Sequence, residues 1–363
     1  MNTYPLESIT LEQAKTLQFK LIDLITSEFR GKEILSLGDL GVTSGINKPT
    51  ATLKAEKVLA KFFEAEEVVL VRGAGTAAIR WGLLSMIRPG QNLLVHDAPI
   101  YPTTKVTIDS MGLNLIKADF NITDNILEAL KVNKVNGVLI QYTRQKIDDS
   151  YDITKVIETI KGFDKSLPIL TDDNYAVMKV RNIGVQCGAE LSAFSLFKLL
   201  GPEGIGCVVG RKEYIDKIIS WNYSGGGQVQ GHEAMELLRG LAYAPVALAI
   251  QAEVSEEIVR RLNKGEIEGV KNAFIANAQS KVVLVEFEKD IAKDVLREAE
   301  LLGAAPNPVG AESKYEFVPM FYRVSGTFRA ADKALENRMI RINPMRAGAD
   351  GVLRILNEAL DRV

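Results

Sequence analysis

Lys198 stands between an apolar run, Ser192-Ala193-Phe194-Ser195-Leu196-Phe197, and a glycine-rich turn, Gly201-Pro202-Glu203-Gly204, that leads into a second apolar run ending at Gly210. An ammonium at the buried end of a strand is costly. Desolvation lowers a lysine's pKa from its usual value of about 10.4. A neutral amine in a dry pocket is the nucleophile that a Schiff base requires. A lone lysine in such a place is ordinarily a surface residue at a strand–loop junction, but two other stretches bear on this one. Gly73-Ala74-Gly75-Thr76 follows the apolar run Val68–Val71 and opens a helical pattern. A helix start behind glycines is a ready site for an anion, usually phosphate. Asp172 closes the run Pro168–Thr171, 26 positions before the lysine.

An anion cradle, a carboxylate and an amine match the three handles of pyridoxal 5′-phosphate (PLP): its phosphate, its cationic ring nitrogen and its aldehyde. Two other readings use the same stretch. Gly73, Gly75 and Ala78, with Asp97 after the run Leu93–Val95, also fit the dinucleotide pattern G-x-G-x-x-A of a nicotinamide-dependent oxidoreductase. That reading leaves Lys198 and Asp172 without a task. A scaffold that has lost its chemistry is the third reading, and the intact lysine, aspartate and turn argue against it.

Composition narrows the field. The 363 residues are 47% hydrophobic and 25% charged, with a formal net charge of -2. This describes a globular chain with no basic patch for nucleic acid. Two cysteines, Cys187 and Cys207, cannot form a disulfide framework and fit a reducing compartment. Met1–Glu7 lacks the pattern of a signal peptide, and no apolar run approaches a membrane span, so a cytoplasmic protein is expected. Two histidines, His96 and His232, cannot build a His-rich zinc site, and no metal is expected. No serine sits in a G-x-S-x-G context.

The elements that must position these groups alternate. Helical spacing covers 9–30 and 50–63, separated by a glycine-rich loop at 38–45 that either approaches a ligand or turns a corner. Strands are expected at Val68–Val71, Leu93–Val95, Leu113–Ile116, Gly137–Gln141, Pro168–Thr171 and Ile205–Val209, with helices at about 123–132 and 152–162. Alternation of this kind predicts an α/β fold: a large domain with a mostly parallel sheet sandwiched by helices. Ligands then gather at the carboxyl ends of the strands. A continuous helical pattern over 231–262 reads as a connector. Strands near Lys281–Phe287 and Met339–Asn343 and a helix at 350–361 make a smaller α+β C-terminal domain. The expected segments are 1–50 (N-terminal helix and glycine-rich arm), 51–262 (large PLP-binding domain with its connecting helix) and 263–363 (small domain).

With these motifs in this order, the chain resembles the fold-type I PLP enzymes of the aspartate-aminotransferase superfamily. Within them it is similar to the bacterial YhfS-like aminotransferase group, near the class V and Cys/Met-metabolism branches. The resemblance implies that Gly73, Ala74, Gly75 and Thr76 hold the phosphate, with Ser195 adding its hydroxyl in an S-x-x-K pattern. It implies that Lys198 forms the aldimine, that Tyr101 or else His96 stacks on the ring, and that Asp172 pairs with the ring nitrogen. Asp173 is the alternative, since Asp173-Asn174 also resembles the D-N-T form of the Cys/Met branch. Tyr175 and Gln141 would lie by the ring hydroxyl, although Gln141 departs from the Asn common there. Arg341, in Arg341-Ile342-Asn343, would grip the substrate carboxylate, with Arg323, Arg329 and Arg144 as further cations. The implied activity is that of an aminotransferase acting on an amino acid; a β- or γ-eliminating lyase or a racemase would use the same residues. A homodimer with shared active sites is implied as well, with Tyr223–Gln228 as a loop toward the partner.

Overall fold

The computed structural model describes residues 3–277, 281–308, 312–325, 329 and 332–363. It divides into two compact units: Glu12–Tyr142 with Tyr151–Pro245, and Met1–Leu11 with Thr143–Ser150 and Val246–Val363.

The larger unit is built on a seven-stranded sheet. Its strands are β1 (Glu67–Arg72), β2 (Asn92–His96), β3 (Asn114–Ala118), β4 (Gly137–Gln141), β5 (Ile169–Asp172), β6 (Leu191–Ser195) and β7 (Ile205–Gly210), in the order β1-β7-β6-β5-β4-β2-β3. β7 pairs antiparallel with both β1 and β6, and the other pairs are parallel. β7 therefore runs against the other six, and the carboxyl ends of β1, β2, β4, β5 and β6 share one edge. The helices are α1 (Leu11–Glu28), α2 (Thr50–Phe63), α3 (Ala74–Met86), α4 (Pro102–Ser110), α5 (Thr123–Val132), α6 (Ile153–Phe163), α7 (Lys212–Trp221) and α8 (Gly231–Leu241). α3 lies on one face of the sheet, where Ala77, Ala78 and Leu83 pack with Val95, Leu139, Leu170, Leu191, Ala193 and Val208. This close seat needs small residues: a Cβ on Gly206 of β7 would lie 2.2 Å from the Ala74 carbonyl oxygen.

The glycine-rich loop at 38–45 turns a corner into α2, whose Thr50 and Ala51 amides donate to the Asp39 carboxylate at 2.6 and 2.9 Å. Burial works to raise the Asp39 pKa, but these amides outweigh it and hold the group below its ordinary value. α2 also covers the outer edge of β1. There Glu56 accepts the Leu70 amide at 2.9 Å and pairs with Lys48 at 2.6 Å, with both side chains buried.

The smaller unit carries an antiparallel sheet, β10-β11-β9-β8, from β8 (Val270–Ile275), β9 (Val283–Phe287), β10 (Met320–Arg323) and β11 (Met339–Asn343). Helices α9 (Ala244–Asn263), α10 (Ala292–Leu301) and α12 (Ala349–Leu360) supply its core with Ile258, Val295 and Leu356; a short α11 (Leu335–Arg338) precedes β11. The helical pattern over 231–262 is thus two helices rather than one. Pro245 gives the reason: its ring excludes a continuous helix by crowding the carbonyl of Leu241, and α8 ends at that residue. Among the described residues no single helix is long and apolar enough to cross a membrane.

Candidate active site

Side chains alternate across a sheet, so register decides which residues can meet. Gln141 of β4 is opposite Asp172 of β5, and Asp172 is opposite Ala193 of β6. Ser195, two residues on from Ala193, is opposite Gly206. These positions share the face on which α3 is seated. Asp173, just past the end of β5, turns the other way: its carboxylate accepts the Gly184 amide at 3.0 Å, beside the Thr171 and Ser192 hydroxyls. His96 is in register one residue beyond Val95, which is opposite Leu139, and so it also falls on the far face. There it is buried between Phe120 and Tyr151, and its Nδ1 accepts the Phe120 amide at 3.0 Å.

Lys198 sits in a short 3₁₀ turn, Phe197–Leu199, immediately beyond β6. Its Nζ lies 3.9 Å from the centroid of the Tyr175 ring and donates to Asn174 Oδ1 at 3.3 Å. Asn174 joins the cluster together: its Nδ2 donates to Asp172 Oδ1 at 2.7 Å, and its Oδ1 also accepts the Ser195 amide at 3.0 Å. A Cβ on Gly75 would meet Asn174 Oδ1 at 2.7 Å, so the first turn of α3 lies against the same side chain. The Gly73 and Ala74 amides donate to the Gly204 carbonyl at 2.7 and 2.9 Å. That leaves the Gly75 and Thr76 amides at the mouth of the helix, where no intrahelical acceptor exists. Ala74 and Tyr175 hold left-handed backbone, φ 54° and 67°, unusual for residues with a Cβ. Thr76 reaches Thr103 of α4 through hydroxyls 3.0 Å apart, and Tyr101, half exposed, stands at the start of α4.

The two aspartates carry different loads. Burial raises the Asp172 pKa, and the Asn174 side chain and the Lys198 ammonium oppose the rise. Burial lifts Asp173 to about 6, with the charge of Asp172 adding to it against the Ser192 hydroxyl and the Gly184 amide. Asp172 is the carboxylate that feels Lys198.

These residues fit PLP by the chemistry of their donors. Helix amides and the Ser195 hydroxyl suit a phosphate, Asp172 a protonated ring nitrogen, and Lys198 an aldehyde, while Gly75 leaves the space beside Asn174 that any side chain would fill. In the smaller unit, Arg341 of β11 places its guanidinium 4.2 Å from the centroid of the Tyr322 ring and donates to the Arg323 carbonyl at 2.8 Å. The Arg323 side chain is exposed, and Arg329 pairs with Glu336 at 3.7 Å. Arg144 donates to the carbonyls of Tyr4 and Ser150.

The aminotransferase class-V family matches residues 44–238, and the YhfS-like C-terminal domain matches residues 256–356. The chain is 53% identical to YhfS of Escherichia coli (strain K12) over 360 residues, 99% of each chain. The chain belongs to the YhfS-like family of class-V aminotransferase proteins. The crystal structure of the PLP-dependent protein YhfS from Escherichia coli superimposes with a TM-score of 0.98 at 52% identity, covering 100% of both chains. This is a fold-type I PLP-dependent family, and PLP is its cofactor. More distant in sequence is a cysteine desulfurase of Wigglesworthia glossinidia brevipalpis, 26% identical over 47% of this chain and 45% of its own. A methionine gamma lyase from Micromonospora echinospora shares the fold at a TM-score of 0.72 and 17% identity, covering 93% and 97%.

The order Gly73–Thr76, Asp172, Lys198 was visible as a pattern of residue types. The joining role of Asn174 was not: its letter suggested only a variant motif, and its bonds depend on a turn that sequence spacing does not describe.

Proposed function

We propose that this chain is an aminotransferase acting on an amino acid. The observation that carries the proposal is the single hydrogen-bonded cluster of Lys198, Asn174 and Asp172 over the Tyr175 ring at the mouth of α3. Lys198 would hold the cofactor through Nζ, and the same amine, when free, would carry the proton at the substrate Cα. Asp172 would pair with the protonated ring nitrogen. Ser195 with the Gly75 and Thr76 amides would hold the phosphate, Tyr175 and Gln141 would contact the ring hydroxyl, and Tyr101 would stack on the ring. The family resemblance assigns Arg341 to the substrate carboxylate, onto which a guanidinium would fork. When bound, PLP supplies the electron sink for the pair left at Cα.

A thiolate sulfur acceptor of the kind a desulfurase could use fits poorly. Burial raises the thiol pKa of Cys187, and raises that of fully buried Cys207 well above the usual range. Elimination shares every residue above, so the test must separate it from transfer. The holoenzyme is incubated with single amino acids, with and without an added 2-oxo acid. Amino-group transfer to the 2-oxo acid without free ammonia supports the proposal, and ammonia released without an acceptor overturns it in favour of a lyase. Borohydride treatment of the yellow holoenzyme should fix the cofactor to the peptide holding Lys198. A homodimer is part of this proposal. Leu35, Leu37 and Leu40, each at least 75% exposed, supply an apolar arm of the kind an association surface uses. A light-scattering mass of one chain in an active preparation would refute it.

A further inference from the structure

We infer that Asn174 is a positioning residue that favours the ionised form of Asp172 for the ring nitrogen while anchoring the segment beyond β6 that carries Lys198. Three facts carry this. Asn174 Nδ2 faces Asp172 Oδ1 at 2.7 Å, and the Asn174 backbone amide reaches the same oxygen at 3.1 Å. Asn174 Oδ1 receives the Ser195 amide and Lys198 Nζ, which ties the end of β5 to the end of β6. Gly75 is the residue whose missing Cβ makes room for this amide. A buried carboxylate without donors protonates, and a neutral carboxyl cannot hold a cationic ring nitrogen by charge. The amide opposes the protonation that burial promotes, and because it carries no charge it does so without competing for the ring.

The inference rests on the assignment of Asp172 and Lys198 above, so its test avoids Lys198. Pyridoxamine 5′-phosphate has the ring nitrogen and the phosphate but no aldehyde, and its binding does not require the lysine. Apo protein is titrated with it across pH 5–9 for the wild type, Asn174→Asp and Asn174→Ala, each also in an Asp172→Asn background. Asn174→Asp keeps the acceptor for Ser195 and Lys198 but loses the donor to Asp172 and adds a like charge beside it. It should weaken binding by at least about tenfold, the scale of one hydrogen bond to a charged group. It should also move the acid limb of the binding profile to higher pH. In the Asp172→Asn background the same change should cost twofold or less. Unchanged affinity and pH limb would overturn the inference, as would a loss of equal size in both backgrounds, which would mean a merely structural role. Should Asn174→Asp not fold, Asn174→Ser gives the same two readouts with the same decisive outcomes.

Discussion

Gly75→Ala sets two effects against each other, and the structure gives the sign. Alanine is the better helix former, so propensity alone favours the variant by about 1 kcal/mol. The new Cβ would sit 2.7 Å from Asn174 Oδ1, 2.8 Å from Nδ2 and 3.1 Å from Cγ, where ordinary contact begins near 3.4 Å. Asn174 must retreat by about 0.7 Å or turn away. It is not a free end: it is tied to Asp172 at 2.7 Å, to the Ser195 amide at 3.0 Å and to Lys198 at 3.3 Å. A retreat of that size breaks at least the two longer bonds, each worth about 1 kcal/mol, and leaves strain of the order that overpacked cores show, about 1–3 kcal/mol. The net expectation is a loss of about 2–4 kcal/mol, seen as apo protein melting several degrees lower and as weaker pyridoxamine 5′-phosphate binding. Gly162→Ala is the matched control. It is exposed in the last turn of α6 with nothing within 4 Å of its Cβ position, and should raise stability by up to about 1 kcal/mol. Gly75→Ala protein that melts as high as the wild type and binds as tightly would refute the claim that Asn174 is held in place.

Three further outcomes are expected. Lys48→Met leaves Glu56 buried without its countercharge and should cost about 3–5 kcal/mol in chemical denaturation; Glu56→Leu added to it should recover only part, because the Leu70 amide then lacks its acceptor. Asp173 has a folded-state pKa of about 6, above its unfolded value, so the folded protein holds a proton that the unfolded chain releases. Its contribution is present at low pH and is lost as pH rises from about 4 to 6, by roughly 3 kcal/mol; urea midpoints of Asp173→Asn should lack that part of the pH slope. Arg341→Ala should raise KM for amino-acid substrates by about tenfold or more with a smaller change in kcat, measured in the transfer assay, whereas an unchanged KM would remove Arg341 from the substrate carboxylate.

Most strands of the large sheet were legible because buried parallel strands are short apolar runs. Gly137–Gln141 is β4 residue for residue, and Ile205–Val209 is β7 short of one glycine. The reversed direction of β7 was not legible, since an apolar run has no arrow; its antiparallel pairing with β6 and β1 is a tertiary fact. β8 and β10 were missed because Val270–Ile275 mixes polar and apolar residues and Met320–Arg323 spans only four. At the site, residue types named Lys198, Asp172 and the α3 turn as candidates, but which of the adjacent aspartates lies on the Lys198 side needed strand register. The alternation that turns Asp172 toward Lys198 turns Asp173 and His96 away.

The two edges of the large sheet meet solvent on different terms. β3 ends one side as a five-residue strand bearing Asn114 and Lys117, a short polar edge that discourages another strand from pairing. β1 ends the other side as an apolar strand, Glu67-Val68-Val69-Leu70-Val71-Arg72, with the composition that recruits strands from other chains. α2 stands over it, and the Glu56 carboxylate takes the amide that an incoming strand would need. The Lys48–Glu56 pair therefore works as a guard against self-association. Its loss should be visible first as concentration-dependent aggregation at temperatures where the active site is still formed.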